Sequence, residues 1–333
     1  MTSQEYLDYI NRTLNTAINE ARHNQEGQVA DYIPELAAVD QEYLAASILL
    51  TDGIQVVAGD DPLRLFTLQS VAKLVVLTGL MEEYGASRLF SWIKAEPSGH
   101  SFASLSQLEK FGATPANPLV NAGAIALCGH IPGNDDERDN WLHGWVERLF
   151  GVELKPNMAV FESERISGDR NRSLAYLMKS TGTLTGDVDD ILNTYFKLCS
   201  YQANITTAAF LPTVLANGGL APNGKRIISE HTSNCVVSIM ATCGLYDESG
   251  MNMVRTGMPA KSGVSGLMVA VATGRGGVAA FSPRVNKRGS SLRARGILNH
   301  LSQALDWHFA SPLGYVRADN PPALALTHDN THI

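Results

Sequence analysis

The chain has 333 residues, a length that suits one large domain or two subdomains and can bury a large core. Hydrophobic residues make up 44% and charged residues 18%, which excludes wholesale disorder. With 26 Lys and Arg against 33 Asp and Glu the net charge is -7, a field that repels nucleic acid and argues against it as a partner.

From the N-terminus, Met1 to Tyr6 is polar and lacks the basic start and apolar core of a secretory signal, so the expected compartment is the cytoplasm. No apolar run reaches the roughly 18 residues that suggest a membrane span. Tyr6, Ile10, Leu14 and Ile18 recur at helical spacing, which predicts an amphipathic helix over residues 3–22. Pro34 is expected to stop further helix and to leave Tyr32 in an extended or turning segment, where a tyrosine is normally a packing residue. The apolar runs 45–50 and 54–58 flank Thr51-Asp52-Gly53, a hairpin signal.

Next comes Phe66-Thr67-Leu68-Gln69-Ser70-Val71-Ala72-Lys73, which sets a serine and a lysine one helical turn apart. From Val71 to Met81 nearly every side chain is apolar, so the predicted helix has no polar face and is buried all round. A lysine there loses solvation, which favours the neutral amine and makes Lys73 a general-base candidate for a nucleophilic Ser70. Ser70 falls at the helix N-terminus, where the backbone dipole favours developing negative charge. The same spacing recurs in Ser91-Trp92-Ile93-Lys94, but Glu96-Pro97-Ser98-Gly99 follows, so that helix should stop and its lysine reach water.

From Ser70 to about Met258 helical signals predominate, among them 141–150, 174–178, 188–199, 206–216 and 232–242. Residues 133–139 read as a polar, solvated loop. Cys128, Cys199, Cys235 and Cys243 form no Cys-x-x-Cys or Cys/His cluster, so buried thiols are expected rather than a zinc site or disulfides. The runs 264–272 and 278–281 read as strands, and 291–308 as a closing helix capped by Ser290 or Ser291. Arg284, Lys287, Arg288, Arg293 and Arg295 read as a solvated basic surface. The fold class that follows is α/β in the α+β sense, an antiparallel sheet built from both chain ends and flanked by helices, with a large helical subdomain between. The expected partition is an α/β subdomain of 1–67 and 259–310, a helical subdomain of 68–258 and a poorly ordered tail of 311–333.

Lys261-Ser262-Gly263 stands just before the second pair of strands. A Lys-Ser/Thr-Gly is the companion of Ser-x-x-Lys in serine acyl-transfer enzymes, and the backbone N–H groups of Ser70 and Val264 are then the candidate oxyanion hole. A penicillin-recognising enzyme also needs a Ser-x-Asn or Tyr-x-Asn between the two motifs, and none occurs there.

Longer stretches carry a resemblance: Val29-Ala30-Asp31-Tyr32-Ile33-Pro34, Leu68-Gln69-Ser70-Val71-Ala72-Lys73, Glu96-Pro97-Ser98-Gly99, Asn117-Pro118-Leu119-Val120-Asn121-Ala122-Gly123-Ala124-Ile125, Cys243-Gly244-Leu245-Tyr246-Asp247 and Pro259-Ala260-Lys261-Ser262-Gly263-Val264. In these the chain resembles the serine-dependent glutaminases, whose fold is that of the serine β-lactamases and penicillin-binding proteins. The resemblance implies that Ser70 attacks the side-chain amide of L-glutamine, that Lys73 takes its proton, and that Tyr246 passes a proton towards departing ammonia. It implies Val264 and Ser70 as the oxyanion donors, and Tyr32, Asn121, Glu164, Asn171 and Tyr195 around the amino-acid end of the substrate. L-glutamate and ammonia are the implied products, with no metal or organic cofactor, and a homo-oligomer, a tetramer, is the implied assembly. The chain departs from the family at Ser265-Gly266-Leu267, where glycines are usual. A serine esterase or amidase on another small acyl compound, and a non-catalytic protein that binds glutamine or glutamate, are the alternative readings.

Overall fold

Helices at the two chain ends bury their apolar faces on the same sheet, and this fixes the frame of the molecule. The computed structural model describes residues 3–98, 103–110 and 112–311. Helix α1 (Ser3–Arg22) turns Ile10, Leu14 and Ile18 inward, as their spacing predicts. Pro34 opens the short α2 (Pro34–Ala37) instead of stopping a helix, because the first helical position needs no N–H partner. The Asp-Gly hairpin forms between β1 (Ala45–Leu50) and β2 (Gln55–Gly59). Next, β3 (Phe66–Thr67) leads through a 3-10 turn (Gln69–Ala72) into α3 (Lys73–Tyr84), followed by α4 (Ala86–Trp92) and α5 (Leu105–Lys110).

The helical body continues with α6 (Asn121–Cys128), α7 (Asp135–Phe150), α8 (Met158–Ser167), α9 (Asp169–Ser180) and α10 (Val188–Ser200). A short β4 (Gln202–Ala203) returns to pair with β3. After it come α11 (Ile205–Ala208), α12 (Phe210–Ala216), α13 (Glu230–Cys243) and α14 (Ser249–Thr256). The chain closes with β5 (Ala260–Ser262), β6 (Leu267–Ala272), β7 (Gly276–Phe281) and α15 (Leu292–Leu305), whose cap is Ser291.

Strands β2-β1-β7-β6-β5 make one antiparallel sheet in that order, so both ends of the chain supply it. Alternate residues divide between its faces, since side chains along a strand have a period of two. Ile48, Leu50, Met268, Ala270 and Val278 pack under α1 and α15. Leu49, Leu267, Val269, Val271 and Phe281 join the core of the helical body. Because both faces are covered, the inner strands β1, β6 and β7 are buried at every position and read as unbroken apolar runs.

Four further local expectations change. Residues 133–139 are no loop: Asn134 caps α7 in a reciprocal capping box with Glu137, so the acidic residues form its first turn. The run 206–216 breaks at Ala209, because Pro212 has no N–H and its ring conflicts with the carbonyl four residues back, at Ala208. The strand expected from 264 begins at Leu267, and residues 263–266 form the β5–β6 turn, closed by Gly263 N–H to the Leu267 carbonyl at 2.7 Å. Of the basic cluster, Arg284 and Arg293 are buried and ion-paired with Glu42 and so are no solvated surface. Three of the cysteines are buried and Cys235 is half-buried, all as free thiols. The expected tail lies, from residue 312 on, outside the described residues. Among the described residues no helix is long and apolar enough to cross a membrane.

Candidate active site

The nucleophile turn is anchored before it bends. Pairing of β3 with β4 continues into Leu68, whose N–H donates to the Tyr201 carbonyl at 2.8 Å. Gln69 then takes φ 47°, a left-handed conformation that costs a residue with a side chain and that clusters at functional sites. The bend leaves Ser70 in the 3-10 turn, short of the α-helix, which begins only at Lys73. Ser70 opens onto a cavity of about 760 Å³ that is also lined by Tyr32, Asn121, Glu164, Asn171, Tyr195, Tyr246 and Val264. Eight of the nine expected site residues thus share one cavity, although they come from separate elements. The ninth, Lys73, is wholly buried at 0% exposure.

Burial pushes the Lys73 ammonium down to about 8, against smaller opposing effects of Cys199 and Glu164. Its Nζ donates to Asn121 Oδ1 at 2.5 Å and to the Leu119 carbonyl at 3.3 Å. A neutral amine has two N–H groups and one lone pair, so these two acceptors leave the lone pair unused. The competing pair is unlike this: Ser91 and Lys94 are exposed, and Ser91 Oγ donates to the Arg88 carbonyl at 2.7 Å.

A second fully buried lysine, Lys261 on β5, lies at the same place. Its Nζ is 4.4 Å from the centroid of the Tyr246 ring, donates to the Tyr246 hydroxyl at 3.2 Å and donates to the Ser262 carbonyl at 2.8 Å. Burial, and then the Lys73 charge, drive the Lys261 pKa well below the ordinary lysine value. Burial raises the Tyr246 pKa to about 12 against a smaller lowering effect of the Ser70 side chain, so it is a phenol near neutral pH. Tyr246 also has a positive φ, 58°. Gly244, two residues before it, lets the chain pass close to β5, since a β-carbon there would lie 1.9 Å from the Ala260 carbonyl oxygen.

The rest of the wall is polar, acidic and aromatic. Glu164, on α8 and only 7% exposed, accepts from the Tyr32 hydroxyl at 2.6 Å. Burial raises its pKa while hydrogen bonds from Tyr32 and Gln69 oppose the rise. Tyr32 as a residue is 47% exposed, yet burial around its hydroxyl, and then Glu164 beside it, lift its pKa well above the usual tyrosine value. Asn121 is bonded at both ends of its amide, to Lys73 and, through Nδ2, to Asn171 Oδ1 at 2.9 Å. Tyr195 is buried on α10, and burial, then Cys199 one turn further on, lift its pKa well above the usual tyrosine value.

Val264 sits at the apex of the β5–β6 turn on the cavity wall, and among the described residues its N–H has no acceptor. Ser265 and Leu267 are both buried, and Ser265 Oγ accepts from the Leu267 N–H at 3.5 Å. Sequence reasoning missed three residues of the site. Lys261 lies inside the Lys-Ser-Gly motif, whose pattern assigns it no role, and Gln69 and Cys199 are legible in the sequence only as neighbours of Ser70 and Tyr195.

An antiparallel sheet from both chain ends, a helical body on one face and a Ser-x-x-Lys turn facing a Lys-Ser-Gly strand define a protein of the β-lactamase-like fold. The family model described as glutaminase matches residues 27–309. A glutaminase of Legionella pneumophila (strain Philadelphia 1) is 50% identical over 300 residues, covering 90% of this chain and 97% of the relative. One from Clostridium botulinum (strain Hall) is 39% identical over 302 residues, 89% of this chain and 99% of the relative. Among solved structures, a probable glutaminase, ybaS, is 33% identical with a TM-score of 0.88 and covers 92% of this chain and 99% of that one. Mglu in its glutamate form is 28% identical with a TM-score of 0.85, over 91% of this chain and 70% of that one. The chain belongs to the glutaminase family, the amidohydrolases that convert L-glutamine to L-glutamate and ammonia.

Proposed function

We propose that this chain hydrolyses L-glutamine through an acyl-enzyme on Ser70. The observation that carries the reading is that Ser70, Tyr246 and the buried carboxylate of Glu164 line one cavity, with two fully buried lysines, Lys73 and Lys261, against the Tyr246 ring. Neutral Lys73 takes the Ser70 Oγ proton on its free lone pair as Oγ bonds to the amide carbon of glutamine. The carbonyl electron pair moves onto oxygen, where the N–H groups of Ser70 and Val264 hold it. Tyr246 gives its proton to the amide nitrogen, which leaves as ammonia when the carbon–nitrogen bond breaks, and the proton held by Lys73 restores the phenol. Water then attacks the ester carbon and loses a proton to Lys73; as the bond from carbon to Ser70 Oγ breaks, Lys73 returns that proton to Oγ, which restores the serine and the neutral amine and frees L-glutamate.

Glu164 and Tyr32 receive the α-ammonium, while Asn121, Asn171 and Tyr195 form the polar surface for the rest of the amino-acid end. Mglu, similar in fold, has been solved in a glutamate form, which supports an amino-acid site in this architecture. Ser70→Ala should abolish ammonia release while circular dichroism stays unchanged, and Ser91→Ala should retain activity. An electrophilic glutamine analogue should leave its mass on the peptide that carries Ser70. An adduct elsewhere, or an active Ser70→Ala, would sink the assignment.

A further inference from the structure

The cavity wall that carries Tyr32 is held from behind by two buried arginines. After α1 the chain turns through residues 23–28 and then enters the wall, which includes Gln28, Val29 and Tyr32. That turn offers its carbonyl groups to guanidinium donors. Arg284 donates to the Gln25 carbonyl at 2.7 Å, to the Gly27 carbonyl at 3.3 Å and to Gln25 Oε1 at 3.0 Å. Arg293, in the first turn of α15, donates to the Asn24 carbonyl at 2.8 Å and the Arg22 carbonyl at 3.4 Å. One carboxylate joins the two cations: Glu42 Oε2 accepts from Arg293 at 2.7 Å and Glu42 Oε1 accepts from Arg284. Gln28 and Val285 then exchange N–H to carbonyl bonds at 3.1 and 2.9 Å, and residues 285–289 are themselves cavity wall.

Arg284 and Arg293 are 7% and 1% exposed, whereas the Glu42 side chain is 50% exposed. Two cations buried side by side repel unless neutralised, and the turn they hold has no helix or long strand of its own to keep its shape. None of the three lines the site cavity; Glu42 faces a separate cavity of about 380 Å³ shared with Arg22, Tyr43 and Arg64. We infer that Arg284, Glu42 and Arg293 act together as positioning residues, setting the affinity for glutamine by fixing the segment 23–32, and Tyr32 with it, against the wall formed by 285–289. The inference rests on the reading that Tyr32 meets the amino-acid end of the substrate.

The test is steady-state ammonia release by Glu42→Gln and Glu42→Ala, with Tm measured alongside. Both variants should raise KM for glutamine about tenfold and leave kcat within about twofold, since the reacting groups are untouched. Formate, small enough to enter beside the two guanidinium groups, should restore KM in Glu42→Ala, and chloride at the same ionic strength should not. Ile297→Ala, in the core under α15, should lower Tm without moving KM. If Glu42→Ala does not fold, Glu42→Asp keeps the charge but is too short to reach both arginines, and a raised KM is again the expected result. An unchanged KM in the folded Glu42 variants, or losses that merely follow Tm as in Ile297→Ala, would overturn the clamp. Tyr32→Phe in the same assay separately judges the reading of Tyr32, because an unchanged KM there rejects that reading whatever Glu42 does.

Discussion

A lysine is a base only while neutral, and burial holds Lys73 near 8 where an exposed lysine titrates at 10.5. On acidification below that value each pH unit leaves about tenfold less of the neutral form, so log kcat/KM should rise with pH at a slope of one and level off above about 8. The same shift bears on stability. The unfolded chain binds the proton more tightly between about 8 and 10.5, so the contribution of Lys73 to stability rises with pH through that window. Lys73→Arg cannot deprotonate and should cost on the order of 10³ in kcat while keeping the positive charge. A flat pH profile, or an active arginine variant, would remove Lys73 from the role of base. Ser70 and Lys73 were legible in the sequence because they are three residues apart on one apolar segment. The bond between Tyr32 and Glu164 spans 132 residues, so no local pattern could announce it, and only the family resemblance brought the two together.

Between elements, the seam between the strand hairpin and the nucleophile turn depends on the absence of a side chain. A β-carbon at Gly263 would lie 2.6 Å from the Leu68 carbonyl oxygen, a backbone atom that cannot step aside. Gly263→Ala must therefore push the β5–β6 turn, and the Val264 N–H that it carries, away from Ser70. The expected result is a kcat lower by about 10²-fold, as for loss of an oxyanion donor, with far-ultraviolet circular dichroism preserved. Gly296→Ala supplies the contrast. It lies exposed within α15 with nothing near its would-be β-carbon, and it should stabilise the fold by about 1 kcal/mol and leave kcat alone. Comparable losses of kcat in both variants would show that the turn does not carry the oxyanion site. The sheet and its two covering helices were readable because period two and helical spacing are strong in apolar runs. The errors fell where a single residue overrides a pattern: the cap at Asn134, the break imposed by Pro212 and the turn at 263–266, which an apolar run hides.

For the molecule as a whole, the cavity is a cost to the empty fold. Glu164 is buried and, among the described residues, has no basic side chain bonded to it, and burial raises its pKa above the usual 4.5. In the window between 4.5 and that raised value the folded state binds the proton more tightly than the unfolded chain, so stability falls as pH rises through it. Above the window the penalty is fully present, as it should be at neutral pH, unless a substrate α-ammonium pairs with the carboxylate. Glu164→Gln should then have opposite effects on stability and function. The empty variant should melt higher than the parent at neutral pH, with the difference closing as pH falls below 4.5. Binding should weaken by roughly 3 to 5 kcal/mol, because the ammonium is left in a shielded site without its partner. Thermal melts with and without L-glutamate at two pH values, together with KM for glutamine, measure both effects. The parent should also reject N-acetylglutamine, which offers Glu164 no charge and adds bulk. A Glu164→Gln variant that melts lower at neutral pH and keeps its KM, or a parent that hydrolyses N-acetylglutamine as well as glutamine, would refute the pairing.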